Sequence, residues 1–136
     1  MNWRFVEIDE VYLIHEAIIK KARTKASVRD FSLLHSAVER PKASFGGKDL
    51  YPTIFVKAGA LLQSLCMNHP FTDGNKRTAW LSTKRFLFLN DYHLMAKKED
   101  AVSFMVAVDN EKLDLRTISS WLKNHSSKLA SKTLSF

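Results

Sequence analysis

The run HPFTDGNKR, His69 to Arg77, gathers a histidine, an acid, a glycine, an asparagine and two adjacent cations just ahead of a long apolar stretch. Each residue type offers a different piece of chemistry. An imidazole exchanges protons near neutral pH and suits a general base. Asp73, an acceptor only when ionised, could hold Mg²⁺ against a polyphosphate. Gly74 lets a backbone approach a phosphate closely or adopt positive φ, and Asn75 could cap the following helix or donate to a phosphate oxygen. Lys76 and Arg77 in a first helical turn are poorly placed for the helix dipole unless an anion binds there. Base, metal ligand, anion cradle and paired cations are together what phosphoryl or nucleotidyl transfer to a hydroxyl requires.

The surrounding sequence must position this loop. His69 precedes Pro70, so the helix expected over PTIFVKAGALLQSLCMN, with Pro52 in its first turn, ends near Asn68. A second helix opens at Asn75; Ala79, Trp80, Leu81 and Phe86 to Leu89 cover most of its circumference, which marks it as central. Upstream, Ile8, Val11, Ile14 and Ile18 recur at spacings of three and four, with acids leading and bases trailing, as in an amphipathic helix. Asp30 is an N-cap candidate for a short helix closed by Pro41. Gly46-Gly47, between Phe45 and Tyr51, permits a tight turn, so residues 41–51 read as a loop or small hairpin. Two further helices are expected near 97–110 and from Asp114 to about Lys123. Sustained period-two alternation is absent, so the expected class is all-α: one domain over 1–125 with a polar tail over 126–136.

Composition narrows the function classes. The 136 residues carry 21 Lys+Arg against 14 Asp+Glu, a net charge of +7, which favours a polyanionic partner without choosing among nucleotide, nucleic acid and acidic protein. The single Cys66 offers neither a disulfide nor a cysteine-based zinc site and reads as a small buried apolar residue. His15, His35, His93 and His125 lack ligand spacing. No segment is long and apolar enough to span a bilayer, and the expected location is the cytoplasm, with no membrane partner. Basic residues are scattered and no helix-turn-helix or aromatic stacking pattern is present, so direct nucleic-acid binding is not expected.

The stretch from His69 to Arg77 resembles the Fic/Doc motif His-Pro-Phe-x-(Asp or Glu)-Gly-Asn-(Gly or Lys)-Arg at every specified position. The likeness extends to VRDFSLLHSAVERPKASFGGKDLYPT, which looks like the death-on-curing (Doc) branch, and to FLFLN and WLKNH. It implies a Fic/Doc-like helical bundle around a central helix, with a short flap near 41–51. By that resemblance His69 is the catalytic base toward a Ser, Thr or Tyr hydroxyl, and Asp73 is the Mg²⁺ ligand. Gly74, Asn75, Lys76 and Arg77 hold the phosphates of ATP, and the flap (Phe45, Gly46, Gly47, Lys48, Asp49, Leu50, Tyr51) aligns a target segment by β-type pairing.

Lys76 separates two activities. AMP-transferring Fic enzymes typically have glycine there and Doc-type proteins lysine, which fills part of the cradle and favours ATP bound with its γ-phosphate toward the acceptor. The implied function is a bacterial, cytoplasmic toxin of a toxin-antitoxin system: a kinase that phosphorylates a translation factor such as elongation factor Tu and inhibits translation, restrained by a Phd-like antitoxin. An AMP transferase is the alternative, and a non-enzymatic nucleic-acid-binding module a more distant one. Self-inhibited Fic proteins carry a (Ser or Thr)-x-x-x-Glu-(Gly or Asn) helix. Here each Glu is followed by Ile, Val, Ala, Arg, Asp or Lys, which fits an external inhibitor.

Overall fold

The computed structural model describes residues 2–24 and 27–130. Helix α1, Ile8–Lys21, starts with Asp9 and Glu10 and ends with Lys20 and Lys21, so its charges complement its dipole; Val11, His15, Ile18 and Ile19 form its buried stripe. Helix α2, Phe31–Glu39, is capped by Asp30, whose Oδ1 accepts from the Leu33 amide at 3.0 Å. After a 3₁₀ turn at Arg40–Lys42, strands β1 (Ser44–Phe45) and β2 (Lys48–Asp49) pair antiparallel. Gly46 and Gly47 both take positive φ, 58° and 78°, as a two-residue hairpin turn requires. The hairpin expected near 41–51 is therefore present.

Helix α3, Ile54–Met67, begins two residues later than Pro52 suggested. Thr53 is its cap, its hydroxyl accepting from the Val56 amide at 3.2 Å, because a hydroxyl can satisfy a free helix amide and a proline ring cannot. It ends at Asn68 as expected. Helix α4, Asn75–Leu89, follows the motif loop. The central position is shared: α3 packs on α2, α4, α5 and α6 and buries ten residues, whereas α4 leaves Leu81 and Phe88 exposed and buries Thr78, Ser82 and Thr83.

Strand β3, Tyr92–Leu94, precedes helices α5 (Lys98–Asn110) and α6 (Leu115–Asn124). Strand β4, Ser126–Lys128, then pairs antiparallel with β3, Leu94 opposite Ser126 and Tyr92 opposite Lys128. The polar tail thus begins with a strand that ties the end of α6 to the end of α4; residues 131–136 lie outside the described residues. Trp121 joins three helices, stacking on Phe104 at 3.9 Å and meeting Trp80 edge-on at 5.9 Å. The result is an all-α bundle with two small hairpin-like pairings, as expected of the fold class, and among the described residues no helix is long and apolar enough to cross a membrane.

Candidate active site

The motif loop is stitched down from both sides. Arg29 and Asp30 donate their amides to the Pro70 carbonyl at 2.8 and 3.1 Å, and the Thr72 amide donates to Ser27 O at 3.0 Å. Phe71 is buried, as its anchoring role demanded, with His15 stacked on it. The Asn75 side chain closes the loop: its Oδ1 accepts from the Phe71 amide and its Nδ2 donates to the Phe71 carbonyl, both at 2.9 Å. In this structure the Asn75 side chain thus closes the loop rather than capping α4, and one of its two Nδ2 hydrogens is engaged by Phe71 O. Gly74 holds the cap position. The physical reason is burial: Phe71 carries its own polar backbone into the core, and a side-chain amide is the group that satisfies both its donor and its acceptor.

His69 sits at the rim. Its backbone has φ 49°, and its side chain keeps 45% of its surface exposed. Arg29 secures this unusual conformation, Nε donating to His69 O at 2.7 Å and Nη2 to Asn68 O at 2.9 Å. The ring Nε2 lies 3.0 Å from Asp109 Oδ1. Asp109 also faces Lys76 Nζ at 3.6 Å and Lys112 Nζ at 3.7 Å. Burial alone would raise the Asp109 carboxyl, but the hydrogen bond and charge of His69, with Lys76 and Lys112, outweigh it and hold the carboxyl below its ordinary value.

The cradle starts at Gly74, whose φ of 76° turns the chain into α4. The first intrahelical bond joins Thr78 N–H to Gly74 O at 3.0 Å, so the amides of Asn75, Lys76 and Arg77 precede it and meet the positive end of the dipole. Asp73 is exposed, its Oδ1 accepting from the Gly74 amide at 2.8 Å while its own carbonyl meets His15 Nε2 at 2.8 Å. Among the described residues no three acidic, His or Cys side chains gather as a metal cage. An exposed carboxylate beside outward-facing helix-start amides is suited to Mg²⁺ shared with a bound anion, the usual way this ion is held.

Lys76 and Arg77 also open onto a groove of about 540 Å³ between α4 and α5, with Trp80, Met95, Met105 and Val106 on its apolar walls. Trp80 thus both packs on Trp121 and borders this space.

The flap residues divide into two sets. Phe45 is 81% exposed and Leu50 54%, and Gly46, Gly47 and Lys48 lie on the surface with them. Asp49 turns the other way and pairs at 3.1 Å with Lys57, which is fully buried. Tyr51 accepts from Arg40 Nε at 2.9 Å, and the same guanidinium reaches Gln63 and Ser64 on α3. Asp49 and Tyr51 hold the flap to the body; the other five can meet a partner.

The Fic/DOC family model matches residues 5–87, more than half of the chain and all of this loop. The chain belongs to the Fic/DOC family. Over 69 residues it is 54% identical to Toxin Doc of Mycolicibacterium smegmatis, a match covering 51% of this chain and 53% of that protein. It is also 33% identical over 88 residues to the microsomal triglyceride transfer protein large subunit of Sus scrofa, and equally to that of Bos taurus, in each case 65% of this chain and 9% of the relative. The chain spans about half the length of the first relative and under a tenth of the others.

Three residues that shape this Fic/DOC loop escaped the sequence reading. Arg29, Asp109 and His15 reach it from 40, 40 and 58 positions away, and none belongs to a local pattern. The only sequence hint was Asp109 itself: an acid in the last turn of α5 opposes the helix dipole and calls for nearby cations.

Proposed function

We propose that this chain is the toxin component of a toxin-antitoxin system and acts as a Doc-type kinase, transferring the γ-phosphate of ATP to a hydroxyl of a protein target. One observation carries the reading: a half-exposed His69 stands at the rim of a helix N-terminal cradle whose second residue is Lys76, not glycine. In this mechanism the triphosphate lies on the amides of Asn75 to Arg77, with the Arg77 guanidinium against a phosphate, and the adenosine extends toward the α4–α5 groove. Mg²⁺, held by Asp73, would neutralise phosphate charge. A target segment pairs along the exposed β1–β2 hairpin and brings its Ser, Thr or Tyr hydroxyl to His69, which takes the proton as the oxygen attacks the γ-phosphorus.

The 54% identity to Toxin Doc supports a toxin and, with it, an antitoxin of the Phd type as partner. The resemblance further suggests a translation factor such as elongation factor Tu as target, translation inhibition as outcome and the bacterial cytoplasm as the place of action. The test is incubation of a cell extract with the protein and ATP labelled at either the γ- or the α-phosphate. Label from the γ position entering a protein, lost with His69→Ala, is the expected result. Incorporation of α-label would replace this reading with AMP transfer.

A further inference from the structure

Asp109 stands where helix electrostatics disfavour it. It is the penultimate residue of α5, at the negative end of the dipole, and its side chain is only 13% exposed. It nevertheless has a hydrogen-bonded partner, the His69 ring of the motif loop, and two ion-pair partners, Lys76 in the first turn of α4 and Lys112 just beyond its own helix. Arg29 faces the same corner but spends its guanidinium on the carbonyls of Asn68 and His69. Cys66, from α3, is near enough for the Asp109 charge to help raise its thiol. The groups around the carboxylate thus come from the motif loop, α3, α4 and the turn after α5.

From this geometry we propose that Asp109 is a positioning residue for His69, forming with it an acid-histidine pair that fixes which ring nitrogen is the base. An ionised carboxylate only accepts, so the nitrogen facing it, Nε2, carries the proton. The lone pair available to substrate is then on Nδ1, which has no partner among the described residues. The inference rests on the phosphoryl-transfer reading above. The acceptor hydroxyl gives its proton to Nδ1 while its oxygen bonds to the γ-phosphorus. The bond from that phosphorus to the β,γ-bridging oxygen breaks, and its electron pair leaves with ADP. The imidazolium so formed has its second N–H already directed at a sheltered anion, which stabilises positive charge where it develops. Lys76 links the pair to the phosphate cradle, and Lys112 completes the neutralisation of Asp109.

The test uses protein with ¹⁵N-labelled histidine, the His69 signals being assigned by their loss in His69→Ala. At a pH where the ring is neutral, the wild type should show Nε2 protonated, with a ring N–H proton shifted downfield by the carboxylate. Asp109→Ala and the nearly isosteric Asp109→Asn should lose that downfield proton while keeping the remaining spectrum, and Lys112→Ala should retain it. In the transfer assay Asp109→Ala should lower kcat on the order of ten- to a hundredfold with the KM for ATP unchanged or lower, and Asp109→Glu should recover part of kcat. A His69 ring spectrum that is the same with and without Asp109, or a loss confined to KM, overturns the proposal. The ring spectrum needs no phosphoryl transfer. An intact, Asp109-dependent ring proton without γ-label transfer would therefore sink the kinase reading alone, and γ-label transfer with an indifferent ring would sink the pairing alone.

Discussion

His15 lies flat against Phe71, ring centroids 3.7 Å apart and 9° from parallel, while its Nε2 reaches the Asp73 carbonyl at 2.8 Å. A carbonyl only accepts, so Nε2 is the protonated nitrogen of this fully buried ring. One histidine of α1 thereby holds the apolar anchor of the motif loop and the backbone of the residue proposed to bind Mg²⁺. The core thus reaches up into the loop and fastens it.

Asn75 is the second fastening, and its removal should be costly. Asn75→Ala deletes two hydrogen bonds and leaves the buried Phe71 amide and carbonyl unsatisfied. A loss of about 2–4 kcal/mol is expected in urea unfolding. A loss under about 0.5 kcal/mol would mean that the loop is held by other contacts.

The contrast between these fastenings and the rest of the fold says what the sequence made legible. Asp30 as a cap, the Gly46-Gly47 turn and the charged ends of α1 are local: each depends on residues within a few positions, so each is legible in the sequence. Thr53 replaced Pro52 at the start of α3 because both suit a helix entrance and only the hydroxyl can accept an amide proton. The residue type of Asn75 suggests a cap or an anion donor, and nothing in the local pattern announces its two bonds to the Phe71 backbone. The partners of His69 and Asp73 are distant in sequence, so no spacing rule could place Arg29, Asp109 or His15 beside the motif. The pairing of β3 with β4 was hidden for another reason: three-residue strands are too short to show alternation.

Gly74 should tolerate no side chain. Its φ of 76° is a left-handed conformation, and an added Cβ would lie 3.2 Å from Ile19 Cδ1 and 3.6 Å from Ile18 Cγ2. Gly74→Ala should destabilise the protein by about 1–2 kcal/mol and weaken ATP binding at least tenfold in calorimetric titration. Undiminished binding would show that the cradle does not use this turn.

The flap anchor makes an asymmetric prediction. Asp49→Asn leaves Lys57 charged and buried, whereas Lys57→Met removes the charge altogether. Because Asp49 is itself half exposed, the first change should cost only about 1–2 kcal/mol, the second less, and the double variant should recover most of the Asp49→Asn loss. A double-mutant cycle by chemical unfolding reads this directly. Equal and additive losses would contradict any coupling between the two side chains.

Cys66 sets an alkaline limit. Burial, reinforced by the charge of Asp109 against the opposing Lys76 and Lys112, pushes its thiol from an ordinary 9.0 up to about 11. Between these values the unfolded chain ionises and the folded chain does not, so the thiol's contribution to stability is complete below pH 9 and is lost as pH rises toward 11. Wild-type stability should therefore fall relative to Cys66→Ala across that window, by up to roughly 3 kcal/mol. Parallel stability curves for the two proteins would contradict the burial argument.

The account as a whole turns on where a triphosphate sits. The structure of the His69→Ala variant with ATP and Mg²⁺ measures it: the phosphates should lie on the amides of Asn75 to Arg77, the γ-phosphate nearest residue 69 and the adenosine toward Trp80. Nucleotide absent from this cradle, or bound with its α-phosphate facing residue 69, would contradict it.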